Sequence, residues 1–158
     1  MQNSNETVCV IGLGYIGLPT AALLACKGYN VCGVDINSAA VDTINSGGIH
    51  IVEPALDLCV KEAVASGALK AYLQPQMADI YIICVPTPLG KDGQCDMSIV
   101  YSVLDELPIN AEVLIKSTIS LEGYRKIKEQ DRKLSICFSP EFLTAKNFLK
   151  DVINQKEM

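Results

Sequence analysis

Three sets of residues in this chain stand at spacings that can do chemistry. The first is a glycine turn, Gly12-Leu13-Gly14-Tyr15-Ile16-Gly17. Gly12 allows a tight turn, Gly14 has no side chain to hold a pyrophosphate off the backbone, and Gly17 lets a following helix pack close to a sheet. The free amides and positive dipole end at the start of that helix complement phosphate. The second is Asp35, 18 residues past Gly17, where a carboxylate can accept both hydroxyls of a ribose. A carboxylate there repels a 2′-phosphate, and Ile36-Asn37-Ser38-Ala39-Ala40 carries no Lys or Arg to attract one, so the pattern selects NAD over NADP. The third is a series of polar residues that end apolar runs: Pro86-Thr87-Pro88, Ser117-Thr118 and Ser139-Pro140-Glu141. A glycine turn that only closes a helix on a strand is the structural alternative, and it leaves the placement of Asp35 to chance.

The elements that must position these groups follow from the apolar pattern. Thr7 to Ile11 reads as a buried parallel strand, and Thr20 to Cys26 as a small-residue helix closed by Lys27-Gly28. Pro19 falls in the first helical turn, where its missing N–H costs little. Val31 to Val34 is a second strand, and Asn37-Ser38 can cap a helix over 39–46. An extended segment, Ile49 to Pro54, leads into an amphipathic helix that Ser66-Gly67 stops. Further strands are predicted at 69–73, 80–85, 113–116 and 134–138, with helices at 96–107 and 122–131. Alternation of strand and helix predicts an α/β fold, a Rossmann-like doubly wound parallel sheet of strand order 3-2-1-4-5-6. Ligands in such sheets lie outside the carboxyl ends of the strands, which is where the polar residues collect. Residues 1–158 are expected to form one domain, with the polar residues 1–6 flexible.

Composition narrows the partners. The chain is 49% hydrophobic but only 6% aromatic, so its core is aliphatic. A net charge of −5 and the lack of a basic run argue against nucleic acid. No apolar stretch approaches the roughly 18 residues of a membrane span, so a soluble, cytoplasmic protein is expected. With seven cysteines, no CxxC and a single histidine, His50, no metal site is expected. Cys9, Cys26, Cys32, Cys84 and Cys137 fall in apolar elements and read as small hydrophobes. Cys59 falls in an amphipathic helix and Cys95 in a polar loop.

Over nearly its whole length the chain resembles the UDP-glucose/GDP-mannose dehydrogenase family. The residues that carry the resemblance are GLGYIGLPTA (12–21), GVDIN (33–37), IHIVEP (49–54), VPTPLG (85–90), IKSTI (115–119) and FSPEFL (138–143). The last three are much more specific than the glycine turn, and VPTP and SPEFL are not expected in 6-phosphogluconate or 3-hydroxyacyl dehydrogenases. The resemblance implies NAD-dependent oxidation of a nucleotide-sugar primary alcohol to a carboxylate, through an aldehyde and a thioester on a cysteine. It places Gly12, Gly14, Tyr15, Ile16 and Gly17 at the pyrophosphate, Asp35 at the ribose, and Val85, Pro86 and Thr87 beside the adenosine and nicotinamide ribose. It further implies that the Ser117-Thr118 segment borders the cofactor, with Thr118 ordering a water near the reacting carbon and Glu141 beside the substrate. A hydroxyl at neutral pH is too weak an acid or base to act alone, so Thr118 would work through that water. On the residues alone, Thr118 and Glu141 could equally cap the next helices.

Two positions depart from the family's pattern: Ala145 stands where many members carry a second acid, and Ala40 where a basic residue is common. The resemblance also implies a central helical dimerisation region and a second α/β domain that supplies the nucleophilic cysteine. Neither is found in this sequence, so a fragment inactive by itself is expected, belonging to a homodimer or higher oligomer. IKSTI and FSPEFL look most like the UDP-glucose branch and IHIVEP like the UDP-N-acetylmannosamine branch. UDP-glucose is therefore the first expectation for the substrate, with the N-acetylmannosamine or GDP-mannose sugar, or a non-catalytic NAD-binding module, as alternatives.

Overall fold

The computed structural model describes residues 6–53, 55–90, 93–130 and 132–139. In chain order the elements are β1 (Thr7–Ile11), α1 (Gly17–Cys26), β2 (Asn30–Val34), α2 (Ser38–Asn45), α3 (Leu56–Ala65), β3 (Leu69–Tyr72), β4 (Ile80–Ile83), α4 (Ser98–Glu106), β5 (Glu112–Ile115), α5 (Leu121–Glu129) and β6 (Ser135–Phe138). The strands form one parallel sheet of order β3-β2-β1-β4-β5-β6. β1 pairs with β2 on one side and β4 on the other, so the winding reverses between β1 and β4.

Strand side chains alternate between two cores, as a sheet covered on both faces requires. Val8, Val10, Val31, Leu69 and Ile82 pack with Leu18, Ala21 and Ala22 of α1, Ile44 of α2 and Val60 of α3. Cys9, Ile11, Tyr81, Ile83, Val113 and Ile115 pack with Val100 and Leu104 of α4 and Ile127 of α5. The small residues of α1 let it lie against β1, β2 and α3 together.

Local chemistry sets the helix ends. Asn37 caps α2 by accepting from the amides of Ala39 and Ala40, and Ser120 caps α5 by accepting from Gly123 N–H. Gly28 takes φ +96° after α1, as its position past the last apolar residue predicts. Near α4, the Asp96 carboxylate accepts from Ser98 N–H, so the helix starts after Asp96 rather than on it. α3 starts at Leu56, with Ala55 at φ 64°, a left-handed conformation that is uncommon outside glycine. Pro54 lies outside the described residues.

Two of the cysteines read as small hydrophobes in apolar elements are exposed. Cys26 ends α1, and Cys137 alternates away from Ile136 and Phe138, which pack on the α5 side of the edge strand β6. Cys95 is not in a plain loop: Leu89 and Cys95 form an antiparallel bridge that closes the segment after β4.

Candidate functional site

The carboxyl tips of β1, β2, β4 and β5 enclose a cleft of about 640 Å³ at the reversal of winding. Gly12, Gly14, Tyr15, Ile16, Asp35, Val85, Pro86, Thr87, Ser117 and Thr118 line it. Gly17 does not line the cleft. It sits beneath the turn, and a β-carbon there would fall 1.7 Å from the Gly12 carbonyl oxygen. Gly12 adopts φ +90°, and a β-carbon on it would meet the Cys84 carbonyl oxygen at 2.8 Å. Both glycines are therefore fixed by the closure of the turn on itself and on β4. Gly14 differs: nothing lies within 4 Å of where its β-carbon would stand, so its backbone faces open space.

Asp35 is tied to the turn it serves. Its Oδ2 accepts from Leu13 N–H at 2.9 Å and its Oδ1 from Asn37 N–H at 2.9 Å. Each oxygen keeps acceptor capacity on the cleft side. Leu13 is fully buried against Gly33, whose missing side chain makes room for it. Spacing along the sequence points to Asp35, whereas this hydrogen bond, which holds carboxylate and glycine turn in one register, arises only in the fold.

The β4 and β5 tips are also tied together. The buried Ser117 hydroxyl donates to the Val85 carbonyl at 2.7 Å, and the Thr87 hydroxyl donates to the Thr118 carbonyl at 2.7 Å. Ser117 thus shapes the wall through its hydroxyl bond rather than by presenting that hydroxyl to a ligand. Thr118 is exposed at the rim. Glu141 and Pro140, as well as Ala145, lie outside the described residues.

Further lining residues went unnoticed in the sequence. Ile99 and Val103 sit one helical turn apart on the face of α4 that closes the cleft, and Ile36 stands 96% exposed beside Asp35. Lys116, a charge at the end of an apolar strand, was a usable signal. It is buried beside Cys84, and burial holds its ammonium below the ordinary lysine range. Burial likewise pushes the Cys84 thiol up to about 12 despite the lysine.

These features fit NAD, by the chemistry of the donors and acceptors present. An open glycine backbone precedes a helix N-terminus, an acid with free acceptor capacity follows β2, and no Lys or Arg stands between Asp35 and Ala40. Among the described residues no three His, Cys, Asp or Glu gather as a metal site would need, and no helix is long and apolar enough to cross a membrane.

Sheet order, glycine turn and acid define an NAD-binding domain of the dehydrogenase class. Sequence comparison makes this specific: the model of the UDP-glucose/GDP-mannose dehydrogenase family, NAD binding domain, matches residues 6–158. The chain belongs to that family. It is 58% identical over 99 residues to a UDP-N-acetyl-D-mannosamine dehydrogenase of Yersinia pestis, covering 63% of this chain and 24% of the relative. The UDP-N-acetyl-mannosamine dehydrogenase Cap5O of Staphylococcus aureus superposes with a TM-score of 0.82 at 33% identity, over 92% of this chain and 38% of that one. A UDP-glucose dehydrogenase of Pyrobaculum islandicum gives a TM-score of 0.81 at 28% identity, over 98% and 40%. The chain thus spans well under half the length of these relatives.

Proposed function

We propose that this chain supplies the NAD-holding half of a nucleotide-sugar dehydrogenase site. The observation that carries the reading is the cleft at the β1/β4 reversal, where Gly14 leaves its backbone open and Asp35 is locked to the turn through Leu13 N–H. NAD, when bound, supplies the hydride acceptor. The chain's own groups do the holding: the turn and the start of α1 take the pyrophosphate, and Asp35 takes the ribose hydroxyls. Val85, Pro86 and Thr87 form the far wall, braced by Ser117. Thr118, exposed at the rim, is free to orient a water or a substrate oxygen. Glu141 is proposed as the acid beside the substrate on the strength of the FSPEFL segment.

The sugar we favour is UDP-N-acetylmannosamine. The names of the relatives at 58% and 33% identity support it, as does the IHIVEP segment. UDP-glucose remains the second reading, supported by IKSTI, FSPEFL and the Pyrobaculum likeness. Calorimetric titration with NAD⁺ and NADP⁺ tests the cofactor half, with measurable heat expected for NAD⁺ only. The sugar is tested by expressing the complete reading frame and following NADH absorbance with the two nucleotide sugars in parallel. Faster turnover of UDP-glucose would reverse the preference.

A further inference from the structure

Two of the seven cysteines meet at the end of α1 opposite the cofactor cleft. Cys26 Sγ lies 2.8 Å from Cys59 Sγ, and it also approaches the Cys59 carbonyl oxygen at 3.7 Å. Both thiols are free; Cys26 is exposed and Cys59 half-buried. A disulfide bond is about 2.05 Å long, so bond formation asks the two sulfurs to move by less than about 1 Å. Cys26 is the last residue of α1 and Cys59 lies within α3, and the two helices already pack together. The Glu62 carboxylate lies near enough to act on the Cys59 thiol, but among the described residues no three His, Cys, Asp or Glu gather as a metal site would need, so the pair has the makings of a dithiol rather than of a metal centre.

We propose that Cys26 and Cys59 form a dithiol site that closes reversibly to a disulfide on meeting a low-molecular-weight disulfide, stapling α1 to α3. The exposed Cys26, as its thiolate, attacks one sulfur of the small disulfide and expels one small thiolate, leaving a mixed disulfide. Cys59 then loses its proton and attacks Cys26 Sγ, breaking the mixed disulfide and expelling the second small thiolate. The two protons lost by the protein thiols are taken up by the two expelled small thiolates, which become thiols. Two protein thiols are oxidised and one small disulfide is reduced. The order follows from the environment: burial, reinforced by the neighbouring Cys26, pushes the Cys59 thiol up to about 12, so it acts second and only intramolecularly. Cys9 and Cys84, raised to about 11 and about 12 by burial, stay out of the exchange. In a reducing pool the site rests as the dithiol, and it closes when that pool is oxidised.

Position sets what closure does. A ten-residue helix is about 15 Å long, which separates the staple from the glycine turn at the other end of α1. The expected result is a stiffer helical layer with unchanged NAD⁺ affinity. The test treats the dilute chain with oxidised glutathione, then alkylates and maps the peptides by mass spectrometry. The proposal expects a Cys26–Cys59 linked peptide pair, with neither of these two thiols alkylatable, and a monomer on a non-reducing gel. It also expects a melting temperature higher by about 5 °C or more, reversed by dithiothreitol, and NAD⁺ affinity within about twofold. Cys26→Ser and Cys59→Ser should each abolish the rise. The peptide map of the unaltered chain decides the matter even if either variant folds poorly. Recovery of Cys59 as a free thiol with Cys26 held as a glutathione mixed disulfide overturns the proposal, and so does a disulfide joining any other pair.

Discussion

At the scale of single residues, Asp35 joins structure to cofactor choice, because its oxygens accept from Leu13 and Asn37 while facing the cleft. Asp35→Asn keeps the shape but replaces one acceptor by a donor and removes the charge. The expected loss in NAD⁺ affinity is about 10- to 100-fold, the worth of a charge-assisted hydrogen bond of about 1.5–3 kcal/mol, with NADP⁺ discriminated less strongly. Parallel calorimetric titrations of the two cofactors check both points. A second residue, Cys9, contributes to the loss of stability at alkaline pH. Burial in the sheet raises its thiol from 9.0 to about 11, so between those values the unfolded chain releases a proton that the folded chain retains. Its stabilising contribution is therefore complete below pH 9 and lost as pH rises through about 11, by about 2–3 kcal/mol for this one group. Urea unfolding across that window should show a fall to which the raised thiols of Cys59 and Cys84 also contribute, and Cys9→Ala should make it shallower by the share of one group while lowering stability at neutral pH through the cavity it leaves.

At the scale of elements, Asn45 shows how a helix protects a sheet edge. β3 is an edge strand, and the side chain of Asn45, at the end of α2, donates to the Ala71 carbonyl at 3.0 Å and accepts from Ala71 N–H at 2.8 Å. One amide thus stands in for the missing neighbour strand. Asn45→Ala is expected to cost about 2–3 kcal/mol, since it leaves both backbone groups of Ala71 without their partner, and to promote self-association through β3. Equilibrium unfolding and sedimentation of the variant measure the two effects. This contact also marks where sequence reading ends. Strand and helix positions, the sheet order and the glycine turn were legible because they rest on local periodicity and on residue types with one backbone use, such as Gly12 and Gly28. The Asn37 cap was legible for the same reason. Asn45 with Ala71, Leu13 over Gly33, the Ser117 and Thr87 ties and the approach of Cys26 to Cys59 were not, because each joins residues that only the fold brings together. Lys116 lay between the two cases: its charge at a strand end was visible, but its burial beside Cys84 was not.

At the scale of the whole molecule, the sheet consists of two three-strand halves that meet along the β1–β4 pairing. At the amino end of that seam the halves are locked by Thr7 N–H donating to the Asp79 carboxylate at 2.8 Å and Asp79 N–H donating to the Thr7 carbonyl at 2.9 Å. At the carboxyl end the seam opens into the cleft, with Gly14 and Asp35 on one half and Val85, Thr87 and Thr118 on the other. A ligand in that cleft bridges the halves beyond the last contact they make themselves, that of Ile11 and Gly12 with Cys84. Hydrogen exchange with and without NAD⁺ should therefore separate two classes of amide. Amides that exchange by local opening near the tips, in the 12–17 turn, at Asn37 and in the 85–87 and 117–118 segments, are expected to slow by tenfold or more. Amides at the amino end, such as Thr7, Asp79 and Asn110, should be unchanged where they exchange by local fraying. Core amides of β1 and β4 that exchange only by global unfolding should slow by the linkage factor, about 100-fold at a ligand concentration of 100 times Kd. NADP⁺ at the same concentration should leave all three groups near their free rates. Protection confined to the β1–β2 half, with the 85–87 and 117–118 amides unmoved, would mean that the cofactor engages one half alone and that the β4 and β5 tips are not its wall.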